Sequence, residues 1–317
     1  MKRLLPFATV LLLLGAALLA ACGSGDDSSS GSAVEELLVI NQNILHGITD
    51  EDPDAEPFDR FPERIELFAN AVGDEAPDVV FMQEVVGHPG DDYPDTRAIV
   101  LGALGSGYSA VFGNFLGGPI EDDGLGQMTF TRLPITTSEN RSVSAIRSVQ
   151  HLALQSEHGA VHVYNAHLEG TGAVLETGAD AAVAEMDAVI AFIEETRGSD
   201  PAILAGDLNA EPDDPSIRRL IDAGFIDALP DAGDATCTQA GDPGCSGSRI
   251  PLSDNPDILA DHRIDYIFVL SGSARSVDVV EAKLFLRQPI DIGEGRTLYV
   301  SDHIGLIVRL EIKSIEG

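Results

Sequence analysis

The sequence predicts a single large α/β domain. Short apolar runs typical of buried strands alternate with segments in which apolar residues recur at helical spacing. One strand–helix–strand unit is complete, because Val161–Leu168, Asp180–Arg197 and Pro201–Ala205 predict two strands joined by a helix. Beyond residue 35 the chain shows no second linker and no internal repeat. These observations favour one large domain over two smaller ones.

The other elements follow in order along the chain. Leu37–Ile40 predicts the first strand, and Pro62–Ala76 predicts a helix with Ile65, Phe68 and Val72 on its core face. Further strands are predicted at Asp78–Glu84, Met128–Ile135, Val149–Leu154, Arg263–Val269 and in a closing run through Leu310, and a short helix at Pro215–Ala223. Gly113–Gly126 predicts a glycine-rich loop, and Asp231–Ala260 predicts a long polar loop of the kind that is usually functional or mobile.

The amino terminus predicts export and attachment to a membrane. A charged start is followed by an apolar run from Leu4 to Ala21, and Leu19-Ala20-Ala21-Cys22 is similar to the bacterial lipobox, in which the cysteine is lipidated. Residues 1–22 are therefore interpreted as a lipoprotein signal peptide, residues 23–35 as a flexible linker and residues 36–312 as the folded domain. An uncleaved transmembrane anchor is the alternative. Both interpretations export the domain and hold it at a membrane.

The charge balance is strongly acidic. Acidic residues number 52 against 19 basic ones, and the only lysines are Lys2, Lys283 and Lys313. The simpler explanation is a solvated surface that keeps the protein soluble. The functional alternative is repulsion of polyanions, and on either explanation nucleic acid is a disfavoured partner.

The three cysteines separate into two groups. Cys22 is assigned to the lipid, which leaves Cys237 and Cys245 in an oxidising compartment. These two lie in a stretch rich in Gly, Asp and Pro that can turn back on itself. We predict a disulfide between them, since no histidine or further cysteine lies at zinc spacing.

Polar side chains that can perform chemistry stand where predicted strands end. Asp207 and Asn209 follow the strand Pro201–Ala205, and ligand sites of α/β proteins gather at the carboxyl ends of strands. In extended backbone these two side chains point the same way, so that Asp207 can accept a proton from water while Asn209 donates to an oxygen. The alternative is an Asx turn that caps the next helix. Other polar residues near strand ends are Asn43, Glu84, His167, Asp265, Asp302 and His303.

Six short motifs extend this pattern over most of the chain. They are Asn43 in NILHG, Gln83-Glu84, Asn165-Ala166-His167-Leu168, GDLNA from Gly206, RIDYIF from Arg263 and SDHIG from Ser301. In this order, from about Leu37 to Leu310, they resemble the endonuclease/exonuclease/phosphatase superfamily of metal-dependent phosphoesterases. The resemblance implies a four-layer α/β sandwich, with two mixed β-sheets packed face to face and helices outside.

The resemblance also implies a metal site. Glu84 would be the principal metal ligand, Asn43 would support that metal or the phosphate, and Asp302 would lie close enough to bind a second ion. Hard oxygen ligands suit Mg²⁺ or Mn²⁺, with Ca²⁺ as a further candidate.

The remaining motif residues would act on the phosphate. Asp207 would orient or deprotonate the attacking water, and Asn209 would hold the phosphoryl oxygens. His303 would contact the phosphate and be oriented by Asp265, while His167 would bind the phosphate or assist the leaving group. Carboxylates around His303 are expected to raise its pKa. Six histidines take no role from the resemblance and are interpreted as surface or core residues: His46, His88, His151, His158, His162 and His262.

The expected function is therefore hydrolysis of a phosphodiester by an exported, membrane-tethered monomer, with a small or lipid-linked substrate favoured. An extracytoplasmic endonuclease is the alternative within the same chemistry. A non-catalytic binding module is the third hypothesis, and it is disfavoured because every polar position of the motifs is filled.

Overall fold

The computed structural model describes residues 34–45, 60–87, 95–105, 107–115, 124–170, 180–247, 252–253 and 259–315. The predicted signal peptide lies outside the described residues, as does the predicted linker except for its last two positions. Those two, Val34 and Glu35, already belong to the first strand. No helix within the described ranges has both the length and the apolar character needed to cross a bilayer.

Strands dominate the chain. They are β1 (Val34–Asn43), β2 (Val79–Gly87), β3 (Ser109–Asn114), β4 (Gly124–Thr131), β5 (Ile135–Ser142), β6 (Ser148–Ser156), β7 (Gly159–His167), β8 (Ala202–Asp207), β9 (Ile226–Asp227), β10 (Leu252–Ser253), β11 (Asp265–Leu270), β12 (Arg275–Phe285), β13 (Ile290–Gly293), β14 (Arg296–Leu298) and β15 (Gly305–Ser314). The helices are α1 (Phe61–Glu75), α2 (Thr96–Leu104), α3 (Ala181–Arg197), α4 (Pro215–Asp222) and α5 (Ala228–Ala232).

Two mixed six-stranded sheets form the centre of the domain. The first has the order β12-β15-β1-β2-β4-β3, and the second has the order β5-β6-β7-β8-β11-β9. Each contains one parallel pair joined by a helix, β1–β2 through α1 and β7–β8 through α3. A small three-stranded sheet, β10-β14-β13, is separate from both.

Three apolar cores hold the layers together. The central core lies between the two sheets and combines residues such as Val39 and Phe81 of the first with Leu152 and Ile203 of the second. A second core packs α1 and α2 on the outer face of the first sheet. A third packs α3 and α4 on the outer face of the second sheet. The predicted four-layer α/β sandwich is therefore confirmed.

The predicted strand–helix–strand unit is also confirmed. Helix α3 begins after Asp180, whose carboxylate accepts a hydrogen bond from the Ala182 amide at 3.0 Å, and it ends at Gly198, which has a positive φ of 58°. The helix returns the chain so that β8 pairs in parallel with β7. In this register His167 lies beside Asp207, so the two polar strand ends meet.

The glycine-rich stretch 113–126 is strand at both ends, and residues 116–123, where the predicted loop falls, lie outside the described residues. At the two ends, Gly113 pairs with Gln127, and Asn114 pairs with Gly126. A Cβ at Gly126 would lie 2.2 Å from the carbonyl oxygen of Gly113, so a side chain there is sterically excluded by the neighbouring strand. Glycine marks close backbone approach at this position.

Gly206, in the strand that carries Asp207, is a second position where a neighbouring strand leaves no room for a side chain, and substitution there tests this steric exclusion. A Cβ at Gly206 would lie 1.9 Å from the carbonyl oxygen of Ala166 on β7. We therefore expect Gly206→Ala to lower the free energy of unfolding by about 3 kcal/mol or more, measured by urea denaturation. The matched control is Gly73→Ala in α1, where a Cβ meets nothing within 4 Å. The control is expected to raise stability by roughly 0.5–1 kcal/mol, and equal effects of the two substitutions would contradict the steric explanation.

Candidate active site

The ends of the central strands of both sheets bring the predicted residues together. Asn43 ends β1, Glu84 lies in β2, and Asp302 and His303 directly precede β15, all on the first sheet. From the second sheet come His167 at the end of β7, Asp207 at the end of β8 and Asp265 at the start of β11. Asn209 follows β8 by two residues.

Asp207 is the centre of this cluster and is only 1% exposed. Its Oδ2 accepts a hydrogen bond from the Asn43 amide at 2.9 Å. The same oxygen lies 3.5 Å from His167 Nε2 and 3.7 Å from His303 Nε2. Burial raises the pKa of Asp207, and the charge of His303 opposes that rise. Asp207 therefore lies between the two histidines of the site.

Asn209 does not continue the extended strand, so the expectation of parallel side chains is wrong in its geometry. Its φ of 49° places it in the left-handed region, and its backbone N–H donates to Asp207 Oδ1 at 3.0 Å. That contact is an Asx turn, but it does not cap the next helix, because α4 begins only after Asp214. The turn moves the Asn209 amide to within 3.0 Å of His167 Nε2. The turn itself thus brings Asn209 into the cluster.

Glu84 owes its position to a β-bulge. The register between β2 and β4 shifts between Gln83 and Val85, and Glu84 has a φ of 61°. A non-glycine residue in this conformation is strained, and such residues gather at functional sites. The bulge places the Glu84 carboxylate where its Oε1 accepts a hydrogen bond from Asn43 Nδ2 at 2.9 Å.

His303 and Asp265 form a buried pair. The Nδ1 of His303 lies 2.8 Å from Oδ2 of Asp265. Burial acts to lower the pKa of His303, but the carboxylates of Asp265, Asp207 and Asp302 together outweigh it and raise that pKa well above its usual range. His303 therefore carries a positive charge at neutral pH, as the sequence predicts.

Asp302 stands at the other side of His303. Its Oδ1 accepts a hydrogen bond from Ser301 Oγ at 3.0 Å and lies 3.9 Å from His303 Nε2. Burial raises the pKa of Asp302, His303 opposes the rise, and the nearby charge of Glu84 adds to it. The carboxylates of Glu84 and Asp302, two of the predicted metal ligands, are therefore close enough for their charges to interact.

The donor set fits a hard divalent cation. Two groups of three side chains have ligand atoms within 4.8 Å of one another: Glu84, His167 and Asp207, and Asp207, Asp265 and His303. Oδ1 of Asp265 is buried and accepts no hydrogen bond from the described residues. Buried carboxylates in this number favour a bound cation, and oxygen donors favour Mg²⁺, Mn²⁺ or Ca²⁺. The Asn43 amide nitrogen faces the carboxylates, so a direct metal bond from Asn43 stays a prediction.

Arg64 is a buried residue of this region that the sequence pattern did not identify. It is fully buried on the core face of α1, and its guanidinium donates to the carbonyls of Ile44, Leu45 and Val300. These carbonyls follow Asn43 and precede Asp302, so Arg64 fixes the two chain segments that carry them. The sequence did contain a signal for this burial, because Arg64 stands at the helical spacing of the apolar core residues of α1.

Ser246 is a second unpredicted residue, and it lies directly behind the His303–Asp265 pair. Its Oγ accepts hydrogen bonds from the backbone N–H groups of Ile264 at 3.3 Å and Asp265 at 3.1 Å. Its carbonyl accepts from the Ile304 amide at 2.6 Å. The predicted disulfide between Cys237 and Cys245 is present, with a Cα–Cα distance of 4.9 Å, and it closes the loop that ends at Ser246.

A layer of buried amides supports the site from beneath. Gln83 Nε2 donates to Asn41 Oδ1 at 2.9 Å within the first sheet and to Asn165 Oδ1 at 2.8 Å on the second sheet. Asn165 Nδ2 in turn donates hydrogen bonds to Thr129 Oγ1 and to the Met82 carbonyl on the first sheet, both at 3.2 Å. These hydrogen bonds cross the sandwich directly below the catalytic strand ends.

The other histidines lie away from the cluster where they are described. His151 and His162 are buried in the second sheet, where His151 Nε2 lies 2.9 Å from His162 Nδ1. Burial lowers the pKa of His151 to about 4, so it is neutral. His158 and His262 are exposed, and His46 and His88 fall outside the described residues.

Comparison with known proteins decides the family. The model of the endonuclease/exonuclease/phosphatase family matches residues 40–303, which include strands of both sheets and every candidate site residue named above. The chain belongs to this family. Members of the endonuclease/exonuclease/phosphatase family hydrolyse phosphoester bonds, so the chain is classed as a hydrolase of that kind.

One curated relative and several solved structures are similar to this family member. A putative neutral sphingomyelinase of Drosophila melanogaster is 32% identical over 161 residues, which is 49% of this chain but only 34% of the relative. A family protein of Bacteroides thetaiotaomicron has a TM-score of 0.68 at 18% identity, covering 89% of this chain and 96% of its own. A mannosyl-6-phosphatase from that species has a TM-score of 0.66 at 20% identity, covering 86% and 99%. D. rerio TDP2 complexed with a single-strand DNA product has a TM-score of 0.64 at 20% identity, covering 87% and 98%.

The position of Ser246 predicts a catalytic effect without substrate contact. Ser246→Ala leaves the buried N–H groups of Ile264 and Asp265 without their acceptor, so Asp265 and His303 should shift. We expect kcat for a chromogenic phosphodiester to fall about tenfold or more with little change in KM. Ser246→Thr, which keeps the hydroxyl, should recover part of the loss.

Ser216→Ala is the matched control for this experiment. Ser216 is equally buried but lies on α4, and its Oγ has no hydrogen-bond partner among the described residues. The control should leave kcat unchanged. A parallel fall of kcat in both alanine variants, or an unchanged kcat in Ser246→Ala, would contradict the positioning role.

Proposed function

We propose that this protein is an exported, membrane-tethered phosphodiesterase that depends on a divalent metal and acts on a small or lipid-linked diester. The observation that carries the proposal is the placement of the buried Asp207 carboxylate between His167 and His303, 3.5 and 3.7 Å away. A phosphoryl group needs an attacking water, neutralised oxygens and a stabilised leaving group. The cluster offers a residue for each of these tasks.

The reaction is assigned to the side chains by their positions. Asp207, whose pKa is raised by burial, accepts the proton of the attacking water. His303, held charged by Asp265, donates to a phosphoryl oxygen and stabilises the charge that develops there. Asn209 donates to another oxygen, and His167 beside it serves the leaving group.

Glu84 would be the principal metal ligand, with Asn43 keeping it in place, and Asp302 would lie close enough to bind a second ion. A hard divalent cation at this position would supply Lewis-acid activation of the phosphoryl oxygens. The hydrogen bonds from Asn43 to Glu84 and Asp207 hold the metal-binding and water-activating carboxylates at a fixed separation. Electrostatic repulsion between those carboxylates is reduced when a cation is bound.

The substrate preference rests on charge and on the curated relative. The chain has a formal net charge of −33, which repels long polyanions, whereas a small or lipid-linked diester is less affected. The Drosophila relative is named a putative neutral sphingomyelinase, which supports a lipid-linked diester for the matched half of this chain. The predicted lipid anchor at Cys22 would hold the domain near such lipids, as a monomer.

A nuclease is the second candidate within the same chemistry. The specific observation in its favour is the similarity in fold to D. rerio TDP2, which was solved with a single-strand DNA product. DNA binding gains strength from lysine and arginine contacts with phosphates, and this chain has few lysines and 52 acidic residues against 19 basic ones. We therefore place nuclease activity second, to be tested with plasmid DNA beside sphingomyelin and a chromogenic diester.

Metal removal tests the proposed chemistry directly. Dialysis against a chelator should abolish hydrolysis of the chromogenic diester, because the carboxylate cluster would lose the cation that activates the phosphate. Added Mg²⁺ or Mn²⁺ should restore turnover. Full turnover in excess chelator would refute the metal dependence.

Substitution of His303 tests the assignment of roles. We expect His303→Ala to lower kcat about 10³-fold, because it removes a preorganised charged donor. His262→Ala is the control, since His262 is exposed and pairs with Glu211 at 2.8 Å outside the cluster. Its kcat should stay within about twofold of the wild type. A His303→Ala enzyme as active as this control would remove His303 from the mechanism.

A further inference from the structure

A cavity of about 200 Å³ opens beside His303 and has no role in the chemistry assigned above. Ile304 and Cys245 line it. Ile304 is the residue after His303, and Cys245 precedes Ser246, whose carbonyl accepts the Ile304 amide hydrogen bond. The cavity wall is therefore joined to the catalytic histidine through the single peptide bond between His303 and Ile304.

The cavity contains a cation that forms no close ion pair among the described residues. Arg287 lines the cavity and is half-buried, and its Nη2 donates a hydrogen bond to the Gly241 carbonyl at 3.1 Å. Across the described ranges, Arg287 makes no ion pair within 4 Å. Asp242 lines the same cavity, but its Oδ2 accepts hydrogen bonds from the Thr238 amide, the Thr238 hydroxyl and the Gln239 amide. Asp234 lies near enough to interact with the charge of Arg287, but no carboxylate of the described residues lies within 4 Å of the guanidinium, so its remaining N–H donors can bind an anion.

Part of the cavity wall is apolar. Leu259, Pro289, Tyr299 and Ile304 contribute to it. Leu259 is 46% exposed, which gives the cavity an apolar rim. A ligand that matches these walls has a short carbon chain and ends in an acceptor or negative charge that reaches the guanidinium.

We propose that this cavity is a substrate subsite for an anionic group, a carboxylate or a phosphate, at the end of the substituent that stays on the transferred phosphate. The inference rests on the proposed function, because His303 marks where the phosphate binds. His167 and His303 approach the same Asp207 oxygen, at 3.5 and 3.7 Å, and only His303 is followed by a residue of the cavity wall. A leaving group at His167 would therefore leave the retained substituent on the side of His303. A trimethylammonium group would meet the like charge of Arg287. The subsite therefore favours diesters with an anionic head group over choline diesters.

Direct binding measurements test the subsite without requiring turnover. Isothermal titration calorimetry of the full chain in Mg²⁺ would compare propyl phosphate, 3-carboxypropyl phosphate and phosphocholine. These probes share the phosphate and differ at the far end of the chain. We expect the carboxylated probe to bind the wild type about tenfold tighter than propyl phosphate, and phosphocholine to bind no tighter than propyl phosphate.

Substitutions of Arg287 assign the effect to the cavity. Arg287→Gln should remove the gain of the carboxylated probe, and Arg287→Lys should keep part of it. Arg219→Gln is the control, because Arg219 is half-exposed on α4 and pairs with Asp187 at 3.4 Å. This control should keep the full gain, and thermal denaturation would verify that every variant is folded.

The outcomes separate the subsite from the proposed function. Equal affinities of the wild type for the carboxylated and propyl probes would overturn the subsite, as would a gain that persists in Arg287→Gln. Hydrolysis of bis(p-nitrophenyl) phosphate is measured on the same wild-type sample. A lack of hydrolysis with every divalent cation would count against the phosphodiesterase, while the affinity ratio would still report on the cavity.

Discussion

The Asn43 amide makes the contact on which the site depends. It donates hydrogen bonds of 2.9 Å to Glu84 within the first sheet and to Asp207 on the second sheet. Apolar packing between two sheets is non-directional and fixes their separation only loosely. A hydrogen bond between the sheets fixes the relative position of the two carboxylates. A reaction that needs both groups placed to within about 0.5 Å can therefore be assembled from two separate sheets.

The sandwich places an unusual amount of negative charge at one edge. Burial raises the pKa values of Asp207 and Asp302, which shows that the folded chain holds these carboxylates at a cost in stability. His303 offsets part of that cost, and the charge of Arg64 acts on Asp302 in the same direction. The Arg64 guanidinium also donates to backbone carbonyls around the site. A bound cation would stabilise the fold in addition to supporting the chemistry.

The parts of this structure that were predictable are those encoded by neighbouring residues. The unit that leads to His167 and Asp207 combines apolar strands with a capped helix, and each signal is local. Strand β5 (ITTSENRS) and much of β12 lie partly exposed at sheet edges, so they lack the apolar runs that mark buried strands. The roles of Arg64 and Ser246 depend on partners such as Val300 and Asp265 that are distant in the chain, and no local pattern encodes them.

The amide layer beneath the site has a consequence for how the protein folds. Gln83 bonds to Asn41 and Asn165 at the same level of the sandwich, between strands of both sheets. A slip of β2 by one residue would turn Gln83 toward the opposite face and bring an apolar neighbour against the two asparagines. Such a misaligned sheet would bury several amides without partners, which is far more costly than a misplaced apolar contact. The native register pairs Gln83 Nε2 with both asparagines, so these hydrogen bonds favour the register that assembles the active site.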